Sequence, residues 1–342
     1  MTTEPNYKPS LRPFLILWVG QAFSLLGSQL VQFALIWWLT QQTGSATVLA
    51  LATLVGLLPQ VVLGPLAGPL VDRWSRRWTM ILSDAAVALA TLGLAILFWS
   101  GQVEIWHVYV ALFVRALGGA FHGPAMAASV SLMVPQEYLT RVQGFNQMLN
   151  GGLNIVSAPL GALLLQLMPI QGVLLVDLVT AAIAIATVAI VHVPQPRHEA
   201  PTEDDASRGQ YWRDLRAGFR YVVGWRGLLI LIGLAMLINL VLSPATSFLP
   251  LLVTQHFQGT AWHLSAMEAG LGIGVIVGGL LLGVWGGFRR RIYTSLFGVI
   301  GMGVSILLVG LAPDWAFAPV VVLMGVMGLM MSFANGPLMA IM

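Results

Sequence analysis

The chain has 342 residues, of which 58% are hydrophobic and only 8% are charged, and its mean hydropathy is +0.85. Soluble domains carry about a quarter charged residues, so this composition excludes an ordinary water-soluble protein and favours one whose surface is solvated by lipid. The sequence contains no Cys, which excludes disulfides and thiolate metal sites.

Long apolar runs follow one another along the chain, and each reaches the length of about 20 residues that a transmembrane helix needs. Their length and lack of alternation argue against strands, and helices satisfy their own backbone hydrogen bonds in lipid. We therefore predict an all-α polytopic membrane protein. The ten predicted spans are residues 14–40, 46–70, 78–100, 106–133, 140–167, 171–193, 227–253, 264–287, 292–311 and 315–342.

Lys and Arg predict the orientation of these spans. If the N-terminus is cytoplasmic, every Lys and Arg except Arg115, which lies within span four, falls in a cytoplasmic segment or, for Arg141, at the cytoplasmic edge of span five. This strong positive-inside pattern predicts a multi-pass protein of the cytoplasmic (inner) membrane whose basic segments contact anionic lipids. The basic net charge of +3 therefore needs no nucleic-acid partner.

Polar residues recur at helical spacing on spans one, five and seven. Such rows should face a cavity rather than lipid, and together they predict a large pocket that hydrogen-bonds and carries little charge. The alternative is hydrogen bonding between helices without ligand contact. The predicted cavity residues are Gln21, Ser28, Gln29, Gln32, Asn146, Asn150 and Asn239.

The loop after span two reads Gly-Pro-Leu-Val-Asp-Arg-Trp-Ser-Arg-Arg over residues 68–77. Glycine permits close helix packing, Asp72 can cap a helix or pair with Arg, and the paired Arg residues can bind carboxylates or lipid phosphates. The pattern resembles the signature loop of the major facilitator superfamily, with Ser75 in place of the usual Gly. That resemblance implies a cytoplasmic gate made by Gly68, Asp72, Arg73, Arg76 and Arg77.

Arg115 lies inside span four, where a charge costs several kcal/mol unless it is buried and paired. Drug:proton antiporters of the same superfamily have an Arg followed by Gly at a similar place. The resemblance implies that Arg115 tunes a proton-coupling carboxylate. The alternative is a structural Arg that pairs with a backbone carbonyl or extends to the interface.

Three carboxylates lie in predicted spans and are candidates for that partner: Asp84, Asp177 and Glu268. A carboxylate that alternates between an apolar environment and the neighbourhood of Arg can take up and release a proton. We predict that Asp177 is this group and that Asp84 is the second candidate. For Glu268 we favour hydrogen bonding near the outer end of its span.

The longest polar stretch, residues 194–225, divides the chain. Its prolines and acidic residues predict a flexible linker, and Tyr211–Tyr221 could form an amphipathic helix on the cytoplasmic face. The predicted organisation is an N-terminal six-helix half over 1–193, a cytoplasmic central loop over 194–225, and an incomplete C-terminal half of four spans over 226–342.

An internal repeat supports two related halves. Residues 121–127 match residues 334–340 at an offset of 213, and the same offset places Arg76 and Arg77 over Arg289 and Arg290. Two parallel six-span repeats explain both matches. The second repeat would close about two spans beyond Met342, so we expect ten of twelve spans here. Because Trp285 stands at the position of Asp72, we also expect two unequal gates.

The runs at 23–27, 68–73 and 335–340 resemble the macrolide-efflux and enterobactin-exporter branch of the superfamily. The resemblance implies a proton-coupled exporter of drug-like or siderophore-like amphiphilic solutes that works by alternating access. Two alternatives are a lipid or lysolipid transporter of the same fold and a transport-inactive membrane sensor.

The sequence predicts neither enzyme activity nor a cofactor. It has no Walker phosphate loop, its six His residues are scattered without metal-ligand spacing, and a lone Ser or His does not make a catalytic triad. The expected partners are therefore a small-molecule substrate, protons and lipid, with no metal. We also expect a monomer.

Overall fold

Transmembrane-length helices dominate the computed structural model, which describes residues 11–191, 193–194, 220, 224–225, 233, 246–288 and 291–339. Ten helices and no strand occur in these ranges, and nine of the helices are long and apolar enough to cross a membrane. The helices are α1 (Leu11–Thr43), α2 (Ala46–Arg73), α3 (Arg76–Ser100), α4 (Ile105–Met133), α5 (Leu139–Leu167), α6 (Ile170–Ile190), α7 (Leu249–Leu251), α8 (Ala261–Trp285), α9 (Arg291–Gly310) and α10 (Phe317–Met339).

These helices confirm the predicted all-α membrane fold. Nine predicted spans match a long helix to within a few residues at each end. The remaining one, 227–253, and the central loop, 194–225, lie mostly outside the described residues. Of span seven the structure describes mainly its end, where α7 continues into a π-helical turn over Leu252–His256.

The predicted loop over 68–77 is mostly helical. The α2 helix continues to Arg73, so only Trp74 and Ser75 separate α2 from α3. The apolar-rich segment before Asp72 can extend a helix, whose backbone groups bond to one another as helices in lipid require. Ser75 is the N-cap of α3 and accepts a hydrogen bond from the Trp78 backbone amide, at 3.5 Å.

Packing joins the helices into one assembly. The α1 helix packs against α5 and α6, α4 packs against α2 and α3, and α3 also packs against α6. The α5 helix continues the assembly by packing against α8, and α10 packs against both α8 and α9. Apolar clusters fill these contacts; one joins Phe33 and Trp37 of α1 to methionines of α8, α9 and α10.

The contact between α8 and α10 depends on small residues. Gly270, Gly274 and Gly278 form a row on α8, and a Cβ atom added to Gly274 would collide with the backbone of Gly325 on α10. Apolar side chains gain little from leaving lipid for a helix interface, so close backbone approach supplies the van der Waals contact that holds such helices together. Gly279 lies outside the row, and a Cβ atom there would meet nothing within 4 Å.

We predict that Gly274→Ala destabilises the protein by about 1–3 kcal/mol, because the added methyl group overpacks the α8–α10 contact. Thermal unfolding of the purified protein in detergent measures this as a lower midpoint temperature. Gly279→Ala, the matched control on the same helix, should leave the midpoint unchanged. Equal midpoints for both variants would contradict the packing assigned to Gly274.

Candidate functional site

A cavity of about 840 Å³ lies among the described helices. Residues from every described helix except α5 line it. Four predicted cavity residues of α1, namely Gln21, Ser28, Gln29 and Gln32, are in its wall. Met302 of α9 and Met327 and Met331 of α10 add apolar, adaptable surface to the wall.

The predicted asparagine row on α5 lies elsewhere. Neither Asn146 nor Asn150 belongs to the cavity wall, because α5 packs between α1 and α8 and contributes no lining residue. Asn146 instead accepts a 2.7 Å hydrogen bond from the Trp18 indole, which ties α5 to α1. Asn150 is exposed. The seventh predicted cavity residue, Asn239, lies outside the described residues.

An ion pair between Arg115 of α4 and Asp177 of α6 borders the cavity. One guanidinium nitrogen, Nη1, lies 2.7 Å from Asp177 Oδ2, and the two side chains are only 9% and 2% exposed. A buried Arg without a partner would be strongly unfavourable at membrane depth. The structure thus brings together the two groups that the sequence suggested for proton coupling.

Two further helices complete the hydrogen bonds of this pair. On α3, Thr91 accepts from Arg115 Nη1 at 2.9 Å and donates to Asp177 Oδ2 at 3.2 Å. On α1, the Ser28 carbonyl accepts from Arg115 Nη2 at 3.0 Å, and the Ser28 hydroxyl lies 3.4 Å from Asp177 Oδ1. One charge pair therefore bonds α1, α3, α4 and α6 together.

Close approach of α1 to α6 allows this arrangement. A Cβ atom at Gly27 would collide with Thr180 and touch Asp177, so only glycine fits where α1 crosses this part of α6. The absence of that side chain lets the backbone and hydroxyl of Ser28 reach the ion pair.

Asp84 of α3 lies in a second polar group on the cavity wall. Its Oδ2 accepts a 3.2 Å hydrogen bond from Gln21 of α1, and its Oδ1 lies 3.5 Å from His122 Nε2 of α4. His122 was not among the predicted site residues, because the six histidines are scattered along the sequence. The spacing could have indicated this residue, because His122 follows Arg115 by seven residues, about two turns of the same helix.

Glu268 of α8 lies in the cavity wall. The prediction for this residue was hydrogen bonding near the outer end of its span. Within the described part of the chain its carboxylate has no hydrogen-bond or ion-pair partner. Sequence position alone could not reveal this, since it gives depth along the helix but not the face that the residue occupies.

The predicted gate residues lie at one end of α2 and α3. Arg76 is buried and donates a 2.7 Å hydrogen bond to the Ala128 carbonyl of α4, and Arg77 donates to the Ala189 carbonyl of α6. The side chains of Asp72 and Arg73 lie outside what the structure describes. Gly68 is helical, and a Cβ atom there would meet nothing within 4 Å among the described residues, so close packing does not explain this glycine.

Comparison with protein families gives a match that covers nearly the whole chain. Residues 17–342 match the Major Facilitator Superfamily model. Macrolide efflux protein A of Streptococcus pyogenes is 36% identical over 323 residues, which cover 94% of this chain and 79% of that protein. Macrolide efflux protein A of Enterococcus faecalis is 35% identical over 293 residues, covering 86% and 89%.

Among solved structures, the nucleoside transporter NupG has a similar fold. The TM-score is 0.60, the sequence identity is 15%, and the match covers 94% of this chain and 82% of that one. At this identity the similarity supports the fold alone.

We predict that Arg115→Met destabilises the protein by about 3–5 kcal/mol, because it leaves the Asp177 carboxylate buried without its cation. Adding Asp177→Asn should restore part of this loss, since the remaining side chain is then neutral. Thermal unfolding of the two single variants and the double variant measures the coupling as a double-mutant cycle. Strictly additive shifts would show that the two charges do not stabilise each other.

Proposed function

The chain belongs to the major facilitator superfamily and is a multi-pass membrane transporter, and we propose that it exports drug-like amphiphilic solutes in exchange for protons. The observation that carries this proposal is the Arg115–Asp177 pair in the cavity wall. A site for a proton and a space for a solute are thereby adjacent.

The ion pair provides a proton-dependent switch. When Asp177 is ionised, its attraction to Arg115 and its hydrogen bonds hold α1, α3, α4 and α6 in one arrangement. A proton on Asp177 removes the charge–charge attraction and weakens those bonds. Protonation therefore biases the equilibrium between two arrangements of the helices, which is what coupling to a proton gradient requires.

The cavity suits a large solute of mixed polarity. Its volume of about 840 Å³ falls within the range of about 300–1,000 Å³ typical of sites for drug-sized ligands. Glutamine and serine side chains in the wall can hydrogen-bond to a solute, and the methionines in the wall can adapt to its apolar surface. The macrolide efflux relatives support a drug-like substrate over a siderophore or a lipid.

The gate proposal rests on the Arg contacts at the start of α3. Arg76 and Arg77 bond that end to the backbone of α4 and α6, so breaking these bonds would let the ends of the helices separate. We propose that this end is cytoplasmic, with a cytoplasmic N-terminus as the distribution of Lys and Arg predicts. The six-helix half over 1–193 would then rock against 226–342 around the cavity, with 194–225 joining them.

Accumulation of erythromycin and ethidium in an efflux-deficient bacterium tests the proposal. Cells that express the chain should accumulate less of either compound, and a protonophore should abolish the difference. Asp177→Asn should remove the protonophore-sensitive part, because the residue no longer alternates between two charge states.

The matched control is Asp314→Asn, the same chemical change at an exposed residue outside the cavity wall, which should export like wild type. Export that persists after the proton gradient is collapsed would contradict proton coupling. Unchanged coupled export in Asp177→Asn would remove Asp177 from the mechanism. Membrane insertion of each variant is checked on the same cells.

A further inference from the structure

The cavity wall contains a second polar layer, parallel to the first. The step between the layers is seven residues on three helices, which is about two helical turns and about 10 Å. The step leads from Ser28 to Gln21 on α1, from Thr91 to Asp84 on α3, and from Arg115 to His122 on α4. The helices α1, α3 and α4 therefore each contribute one polar residue to each layer.

Asp84 and His122 form the titratable part of the second layer. Their side chains are 12% and 16% exposed, and the 3.5 Å between Oδ1 and Nε2 is an ion-pair distance longer than an ordinary hydrogen bond. Within the described residues, His122 Nε2 is buried without a hydrogen-bond partner. A carboxylate and an imidazole at this separation can hold an added proton between them.

The surroundings leave few other groups for that proton. The described helices packed around this pair contribute neutral Gln21 from α1 and Gln60 from α2 to the same cavity wall. The other titratable or charged side chains in that wall are Arg115, Asp177 and Glu268. Ser24 lines the cavity on α1 at a level between the two layers, so its hydroxyl and cavity water can bridge them.

We propose that Asp84 and His122 form a second proton-binding site, which receives the proton that Asp177 releases and passes it on toward the proposed cytoplasmic end of α3. This inference rests on the proposed proton-coupled export. When Asp177 loses its proton, its carboxylate pairs again with Arg115, and the Asp84–His122 pair gains the proton through Ser24 and water. The pair then returns to its starting state by giving the proton to cytoplasmic water.

The internal repeat places this chemistry in one half only. At the offset of 213, Asp84 corresponds to Phe297 and His122 to Asn335, neither of which titrates in the physiological range. Arg115 corresponds to Gly328. The second repeat therefore offers no copy of the relay that could replace the first.

Proteoliposomes separate proton transfer from solute movement. In the first assay an imposed pH gradient drives radiolabelled erythromycin across the membrane; in the second, labelled and unlabelled erythromycin exchange without a gradient. Exchange needs the solute-loaded transporter to change conformation but needs no net proton transfer. His122→Gln and Asp84→Asn should lower gradient-driven transport by about tenfold or more, and should lower exchange by much less, because exchange needs no net proton transfer.

His107→Gln is the matched control, because His107 lies on the same helix at its exposed end and outside the cavity wall. It should leave both assays unchanged. Gradient-driven transport that persists in both relay variants, or a parallel loss of exchange, would overturn the relay while leaving proton-coupled export in place. Wild-type protein without gradient-driven transport would overturn the proposed export, and the relay with it. If His122→Gln does not fold, Asp84→Asn decides.

Discussion

The architecture depends on one constraint, which is that a guanidinium group inside an apolar bundle must keep a partner. Arg115 meets this constraint with Asp177, and the remaining hydrogen bonds of the pair reach α1 and α3. Buried ion pairs are poor devices for raising stability, since desolvation offsets much of the attraction. We propose that their value here is a response to a single proton, which would reach four helices at once.

We propose that the two predicted repeats divide the work unequally. The first contains the ion pair, the Asp84–His122 pair and the Arg contacts at the start of α3. The second contains the glycine row of α8, the methionines of the cavity wall and Glu268, a carboxylate without a partner among the described residues. Titratable groups of the first repeat thus line the same cavity as the adaptable methionines of the second. A solute between them would contact both the element that responds to protons and the element that accommodates shape.

Sequence reasoning predicted the helices well because length and hydropathy report directly on membrane depth, and the ends of α4 agree to within one residue. It also predicted Arg115 with Asp177, since an isolated charge in a span requires a partner. It did not predict that α5 contributes nothing to the cavity wall, so Asn146, which bonds to Trp18, was misplaced. It missed His122 and the position of Glu268, because neither residue is unusual until the packing of other helices brings a partner or a cavity beside it.

The most direct test of the switch uses spin labels. Because the sequence contains no Cys, the labels attach only at cysteines that are introduced for the purpose. Labels at the exposed positions 78 on α3 and 293 on α9 report the separation of the two repeats by pulsed electron paramagnetic resonance. We expect the distance distribution of the otherwise wild-type protein to change between alkaline and mildly acidic pH. Asp177→Asn should show the acidic distribution at both pH values. A variant that keeps the full pH response would contradict the claim that a proton on Asp177 controls the conformation.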